Sequence, residues 1–334
     1  MRWSWLLAVL VLAAADADAR RTPEPEARAE TSGGEFWREV IEPHAEQVRA
    51  LLDKARRAMA ETEKAITSDS DWAVEQRTRF FRDAYNLLRY AHQLSPDNLD
   101  VLASLGRAAD EIGKTAEAIV AYEAAARIAG PDKVGADVTG PLGAIYLRLG
   151  NYDAAVRWLR LAQGAVTQQN ATALVHLASA QAARGEVVAA IDTLQNALPP
   201  GASFGYFDPN LAIVPFALAV IYDRDEQRSN AFDTLDRLQA AMQAQYASQM
   251  LQALARMRFA PADDRHYFQA LLYETLGHYT EARAEWALYA AANEGPWRGR
   301  AVDHIAAIDA ERRAAPGARP APQPSPFIIR RPHP

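Results

Sequence analysis

Gly113-Lys114-Thr115 is the first stretch whose residue types and spacing could carry chemistry. A phosphate-binding loop needs a glycine, four residues and then Gly-Lys-Thr, so that backbone N–H groups and the lysine cradle phosphates. Here six residues separate Gly113 from the preceding glycine, Gly106, and both glycines lie in sequence with helical spacing. We therefore interpret Gly113 as a turn residue and predict no phosphate site.

The seven histidines offer no metal pair either. No two of them lie three or four residues apart, as two ligands on one helix face would. His176, between Val175 and Leu177, is interpreted as a surface or satisfied core residue, and His304 beside Asp303 as a solvated pair. The chain has no cysteine, no Gly-x-Ser-x-Gly elbow and no glycine-rich dinucleotide fingerprint. We predict no catalytic residue, no cofactor and no metal, and hence a protein that is not an enzyme.

The elements that would position side chains are helical hairpins. From Leu102 to Pro131 large apolar residues recur every three or four positions, and Gly113 interrupts the pattern once. This predicts two helices joined by a tight turn. The same unit returns along the chain as pairs of small residues twelve positions apart, which we expect where two helices pack closest. These pairs are Gly106 and Ala118, Gly143 and Ala155, Ala178 and Ala190, Ala219 and Ala231, and Ala270 and Ala282.

Two further positions repeat with these pairs. A large apolar residue follows each second member by four positions: Tyr122, Leu159, Leu194, Leu235 and Trp286. The predicted turns carry Gly113, Gly150, Gly185 and Gly277. Glycine is favoured there because a helix often ends with one residue in the left-handed backbone conformation. The fourth turn departs from this pattern, with Glu226 in place of glycine.

This pattern resembles the tetratricopeptide repeat (TPR), a helix-turn-helix of about 34 residues. The resemblance implies an all-α, right-handed TPR-type helical-hairpin solenoid with terminal capping helices. Ala84, Leu88 and Ala91 match half of a further unit in which Trp72 takes the close-packing position, so a degenerate hairpin begins the array. We also predict that the second helix of the fourth unit is extended, from about Asn230 to Arg258.

The predicted organisation has six parts. Asp263-Asp264 is expected to cap a fresh helix, and the helix from Trp297 to Arg313 is expected to bury Val302 and to cover the end of the array. The parts are a signal peptide (1–19), a disordered linker (20–34), N-terminal helices with the degenerate half-repeat (35–97), five TPR-like repeats (98–294), a capping helix (295–314) and a Pro-rich disordered tail (315–334).

Composition and the N-terminus limit the possible partners and the location. The 334 residues carry a formal net charge of −6, which offers no general footprint for nucleic acid. Arg2, the apolar run Trp3 to Ala15 and the small-x-small pattern up to Ala19 are typical of a cleaved secretory signal. No other segment is long and apolar enough to span a membrane. We predict export to a bacterial periplasm or secretion, with no transmembrane segment after cleavage.

The resemblance also implies a concave groove, lined by the first helix of each hairpin, that holds a protein or peptide partner. The clamp that chaperone-binding members use is missing, since Ala103, Arg107, Gly140 and Ala144 stand at its positions. We predict a non-enzymatic scaffold in envelope assembly or export, whose partner and oligomeric state stay open. The predicted groove residues are Asp100, Arg107, Asp110, Glu111, Arg148, Phe216, Asp223, Arg224, Tyr267 and Glu274.

Two alternatives use other features of the sequence. A cell-wall or carbohydrate binder would stack sugars on Phe204, Tyr206, Phe207, Phe216 and Tyr267, if these rings cluster on a surface. A non-catalytic subunit of an envelope enzyme would use the hairpins as a frame. A structure in which the aromatic rings point into the core would argue against the sugar binder.

Overall fold

The computed structural model describes residues 44–65, 71–130, 133–162, 170–198, 211–292 and 297–314. The predicted signal peptide, linker and Pro-rich tail lie outside these ranges. The chain divides into two units, residues 1–49 and 50–334. Within the described ranges, no helix combines the length and the apolar character that crossing a membrane requires.

Every regular element in these ranges is helical, as the sequence predicted. The α-helices are α1 (Ala45–Ala65), α2 (Asp71–Leu94), α3 (Leu99–Glu111), α4 (Thr115–Ala129), α5 (Ala136–Arg148), α6 (Tyr152–Leu161), α7 (Ala171–Ala183), α8 (Val187–Ala197), α9 (Ile213–Arg224), α10 (Arg228–Met242), α11 (Tyr246–Arg256), α12 (Asp264–Thr275), α13 (Tyr279–Ala292) and α14 (Arg298–Ala314). One 3₁₀ turn, Gln243–Gln245, joins α10 to α11.

Five antiparallel hairpins form the array within the second unit: α3/α4, α5/α6, α7/α8, α9/α10 and α12/α13. The two helices of each hairpin pack on each other, and α3, α5, α7, α9 and α12 also pack in succession. Their small anchor residues are buried, as are the large apolar residues four positions later. The all-α hairpin solenoid that the sequence predicted is confirmed.

The turn glycines have the conformation that their spacing predicted. Gly113 has φ 78°, and the N–H of the next residue, Lys114, donates to the carbonyl of Ala109 at 2.8 Å. The lysine side chain is occupied by Glu117, at 2.7 Å, so the Gly-Lys-Thr sequence is a helix-to-helix turn. Glu226 has φ 58° at the fourth turn, where the chain accepts the strain of a left-handed non-glycine residue.

Glycine is required at two of the anchor positions because of a close approach. A Cβ at Gly106 would lie 2.9 Å from the ring of Tyr122, and a Cβ at Gly143 would lie inside the van der Waals radius of Leu159. Tyr122 and Leu159 are the large apolar residues four positions after the second anchors. The twelve-residue spacing therefore marks the place where a bulky side chain of the second helix packs against the backbone of the first helix.

Replacing Gly143 by alanine is expected to lower the free energy of unfolding by about 1–3 kcal/mol, because the methyl group overpacks the hairpin against Leu159. Urea unfolding followed by circular dichroism measures the loss. Gly299→Ala is the matched control, since a Cβ there meets nothing within 4 Å and alanine favours a helix by up to about 1 kcal/mol. Equal effects of the two changes would contradict the close-packing explanation.

The predicted long helix from Asn230 to Arg258 is wrong. The chain turns at Gln243, with φ 48°, and then forms the 3₁₀ turn and α11. Tyr246, Met250 and Leu254, four residues apart, form the buried face of α11. An unbroken helix would carry this face away from the core, since each residue adds about 1.5 Å of length. Burial of that face explains the break, which no glycine or proline marks in the sequence.

Three other local predictions need correction. Trp72 does not pack closely: it is 67% exposed, and α2 runs without a turn through both Trp72 and Ala84. Val302 lies on the exposed side of α14, whose buried residues include His304. Asp263 holds the N-cap position of α12, without a side-chain cap hydrogen bond, but Asp264 is not a helix cap. It is the first residue of α12 and its buried carboxylate pairs with an arginine.

Candidate functional site

A cavity of about 350 Å³ opens among the first helices of the first three hairpins. It contains residues that the repeat register assigned to the groove, on α3, α5 and α7. Its other wall is the connection that follows α11. The lining residues are Arg107, Asp110, Tyr122, Ala136, Asp137, Gly140, Pro141, Ala144, Arg148, Thr172, Ala173, His176, Arg258, Phe259 and Ala260.

The cavity has charges of both signs. Arg148 on α5 donates from Nη1 to Oδ2 of Asp110 on α3 at 3.3 Å, and its Nη2 donates to Oδ1, so this fork bridges two hairpins. Arg107 lies one turn before Asp110 on α3 and also faces the cavity. Between these charged groups Gly140 and Ala144 present almost no side chain. The arrangement leaves room for a main chain to lie between groups that recognise charge.

His176 closes the inner side of the cavity. Its Nε2 lies 2.7 Å from the carbonyl oxygen of Arg258. Burial lowers the pKa of His176 to about 4. The ring is therefore neutral near pH 7, and its Nε2–H donates to the Arg258 carbonyl. The interpretation of His176 as a satisfied core residue is confirmed.

The other two predicted residues of α3 lie near the cavity or away from it. Glu111 forms an ion pair with Arg258 of the connection after α11. Asp100 forms an exposed pair with Arg56 of α1 at 2.7 Å and does not line the cavity. The structure thus brings Arg107, Asp110 and Arg148 together, places Glu111 beside them, and leaves Asp100 apart.

The remaining predicted residues, from α9 and α12, are interior. Phe216, Asp223, Arg224, Tyr267 and Glu274 are all buried, so in this structure they present no open surface to a partner. The physical reason is that the chain itself covers them. Phe216 packs near Phe268, with ring centroids 5.9 Å apart. Asp223, Tyr267 and Glu274 join a network with α14, and Arg224 pairs with Asp264.

This buried network, which we call the α14 network, centres on His304. Its Nδ1 lies 2.8 Å from a carboxylate oxygen of Glu274, and its Nε2 lies 3.0 Å from Oδ2 of Asp223. Arg300, one turn earlier on α14, donates to the other oxygen of Asp223 at 2.5 Å. The Tyr267 hydroxyl donates to the same carboxylate at 2.7 Å. Four side chains on three helices thus surround one histidine.

Aromatic rings enclose the charges of the α14 network. The Trp286 ring stacks on His304 at 4.3 Å, and its Nε1–H donates to Glu274 at 3.0 Å. A second pair lies alongside: Arg224 donates to Asp264 at 2.8 Å and its guanidinium lies 4.0 Å from the ring centroid of Trp297. Buried charges require such partners, because an unpaired charge is costly away from water.

The pKa values follow from these contacts. Burial opposes the charged form of His304, but Glu274 and Asp223 outweigh it and raise the pKa of His304 to about 9. Burial likewise opposes ionisation of Asp223, yet His304 and Arg300 hold the pKa of that carboxyl well below its usual range. Near pH 7 a protonated histidine therefore lies between two carboxylates.

Enzymes that transfer protons also use a histidine placed between carboxylates. Here His304, Asp223 and Glu274 are at most 1% exposed, so a substrate has no access to them. The α14 network is a structural attachment of α14 to the array. The sequence-based interpretation of His304 as a solvated partner of Asp303 is wrong. The available signal was the i, i+4 spacing of Arg300 and His304, which places both on one face of α14.

The structure also bears on sugar stacking and on metal binding. Phe216 and Tyr267 have no exposed surface, so neither can stack on a sugar. Phe204, Tyr206 and Phe207 lie outside the described residues. In the ranges that the structure describes, no group of three His, Asp or Glu side chains has an arrangement able to hold a metal ion.

Comparison with known proteins gives one family and several structures. Residues 99–132 and 142–165 match the tetratricopeptide repeat family. The crystal structure of MamA is similar at 17% identity and a TM-score of 0.40, covering 52% of this chain and 95% of that chain. The C-terminal part of a TPR repeat-containing protein from Cytophaga hutchinsonii has 17% identity and a TM-score of 0.40, covering 80% of this chain and 96% of that chain. No curated protein matches significantly. Stacked repeats of this kind typically provide extended surfaces for protein partners.

Proposed function

We propose, because residues 99–132 and 142–165 match the tetratricopeptide repeat family, that the chain is a non-enzymatic scaffold that binds an extended segment of a partner protein in the cavity between α3, α5 and α7. The single observation that carries this proposal is the cavity itself. It lies at the register positions from which such repeats contact their ligands, and three of the ten predicted groove residues line it.

The chemistry of the lining supports a peptide as the ligand. Arg107 and Arg148 can donate hydrogen bonds to carboxylate or carbonyl oxygens of a partner. Asp110 and Asp137 can accept hydrogen bonds from its N–H groups. Small residues between them allow a backbone to approach. The Arg148–Asp110 fork is already formed, so little side-chain entropy is lost when a partner binds.

The proposed setting is the bacterial envelope, after export. The apolar run from Trp3 to Ala15 and the small-x-small pattern that follows it support this proposal. The absence of cysteine is compatible with an exported chain that needs no disulfides. A role in envelope assembly or export would use the scaffold to hold one protein segment for another component.

Reversing the charge at the cavity should abolish capture of the partner. We expect Arg107→Glu to reduce retention of a specific protein from an envelope extract by about tenfold or more, because a residue at the centre of an interface can contribute about 2 kcal/mol or more and about 1.4 kcal/mol corresponds to tenfold. The measurement is affinity capture with the purified full chain, followed by mass spectrometry and immunoblotting of the captured protein.

Arg160→Glu is the matched control, because Arg160 is exposed on α6 and does not line the cavity. Circular dichroism checks that both variants are folded. A protein that is retained by the wild type and by Arg160→Glu, and lost with Arg107→Glu, supports the proposal. Equal retention by all three chains would contradict binding at this cavity.

A further inference from the structure

The connection after α11 forms one wall of the cavity and begins with extended backbone. Helix α11 ends at Arg256, and Met257 has φ −75° and ψ 133°, which is extended backbone. Regular structure resumes at Asp264, the first residue of α12. We call Met257–Ala260 the crossing segment. It is a short peptide of the chain itself that lies where the repeats would place a peptide from a partner.

Three successive hairpins hold the crossing segment. The guanidinium of Arg258 pairs with Glu111 at the end of α3. The backbone carbonyl of Arg258 accepts a hydrogen bond from His176 of α7 at 2.7 Å. The methyl group of Ala260, 3% exposed, packs in the apolar cluster that contains Leu147 of α5. One ion pair, one main-chain hydrogen bond and one small buried side chain therefore fix its position.

Phe259 gives the segment a fourth contact. Its ring meets the ring of Phe268 of α12 edge to face, with centroids 5.1 Å apart, and also lines the cavity. The order Arg-Phe-Ala thus matches the order of an acidic side chain, an aromatic surface and a small apolar recess. Such a match is the recognition of an extended peptide by alternate pockets.

We infer that the crossing segment is an internal ligand, and that the partner that displaces it carries the same chemistry: an extended peptide with a basic residue followed by an aromatic and a small residue. The inference rests on the proposed function and specifies its ligand. A tethered segment competes at high effective concentration, so it lowers the apparent affinity for any free peptide. The occupied site therefore selects partners that reproduce the Arg–Glu111 and aromatic contacts or that bind to more of the cavity.

The test uses a fluorescein-labelled peptide with the sequence of residues 255–262, Ala-Arg-Met-Arg-Phe-Ala-Pro-Ala. The protein is the full chain, either wild type or with Arg258→Ala and Phe259→Ala, which removes the ion pair and the ring contact of the crossing segment and leaves Glu111 and His176 unchanged. Fluorescence anisotropy should show at least about tenfold tighter binding to the double variant, as removal of a competitor that is about 90% bound predicts. A third chain, which adds Glu111→Ala to the double variant, should lose that gain.

Limited trypsin digestion gives an independent reading. Excess unlabelled peptide should increase cleavage of the wild-type chain after Arg258, because displacement exposes the crossing segment. A control peptide with glutamate in place of the residue equivalent to Arg258 should neither bind nor promote cleavage. Circular dichroism confirms that each chain is folded.

The outcomes separate the two proposals. If the double variant binds the peptide no better than the wild type does, the internal-ligand inference is wrong, even when Arg107→Glu abolishes partner capture. If Arg107→Glu leaves partner capture unchanged, the cavity is not the partner site and the proposed function is wrong. Tighter binding that survives Glu111→Ala would also overturn the inference, because the acidic contact would then play no part.

Discussion

Replacing Asp223 by alanine is expected to lower the free energy of unfolding by about 3–5 kcal/mol, the usual cost of removing one partner from a buried ion pair. Asp223 accepts hydrogen bonds from Arg300, His304 and Tyr267, and all four side chains are buried. Without the carboxylate, the Arg300 guanidinium and the charged imidazole would face each other with less compensation. The packing of α14 on the array should weaken first.

Urea unfolding monitored by far-ultraviolet circular dichroism measures the loss, and tryptophan fluorescence follows Trp286 and Trp297 near the α14 network. Asp303→Ala is the matched control, because Asp303 is exposed on the same helix. We expect that control to change stability by less than about 0.5 kcal/mol. If Asp223→Ala fails to fold, Asp223→Asn keeps the size of the side chain and removes the charge. Wild-type stability in both Asp223 variants would contradict the structural role of the network.

Raising the pH from 6.5 to 9 is expected to destabilise the protein through His304 by about 3 kcal/mol, since each unit of pKa difference corresponds to about 1.4 kcal/mol. The pKa of His304 is about 9 in the folded chain and 6.5 when unperturbed. Because the pKa is higher in the folded chain, protonation of His304 stabilises the folded state. This contribution is fully present below pH 6.5 and is lost as the pH rises through 9. Asp223 acts in the opposite range: its lowered pKa gives a contribution that is present above the unfolded value of 3.8 and lost in acid.

The measurement is the free energy of unfolding at several pH values between 6 and 10, for the wild type and for His304→Gln. Glutamine does not titrate, so the difference between the two chains isolates the histidine. This difference should be largest at the lowest pH and should shrink as the pH rises from 6.5 through 9. A difference that is independent of pH would show that the pKa of His304 is the same in the folded and unfolded chains, which would contradict its raised value.

The hairpins were predictable because their causes are local. Gly143 and Leu159 lie close in sequence, and the turn at Gly150 needs only its own backbone geometry. The bend at Gln243 was not predictable in this way. Its neighbours are good helix formers, and the bend follows from burial of Tyr246 against distant residues. Local propensity is a weak prior when tertiary packing favours another conformation.

The repeat register identified residues on the first helices without showing what covers them. Arg107 and Arg148 line a cavity, whereas Asp223 lies beneath a helix whose contacting residues are 77 and 81 positions later in the chain. No periodic pattern connects residues at that separation. The crossing segment was missed for the same reason: Arg258 reaches Glu111 only in the folded array.

The distance along the chain between Asp223 and His304 also sets an order of events during synthesis. The first hairpins use contacts between neighbours, so each can fold soon after it leaves the ribosome. Asp223 is translated 81 residues before His304, and its carboxylate gains its cationic partners only when α14 emerges. The hairpins α9/α10 and α12/α13 are therefore completed only after α14 has been made, and a chain that stops before Arg298 would fold its first hairpins and leave Asp223 without these partners.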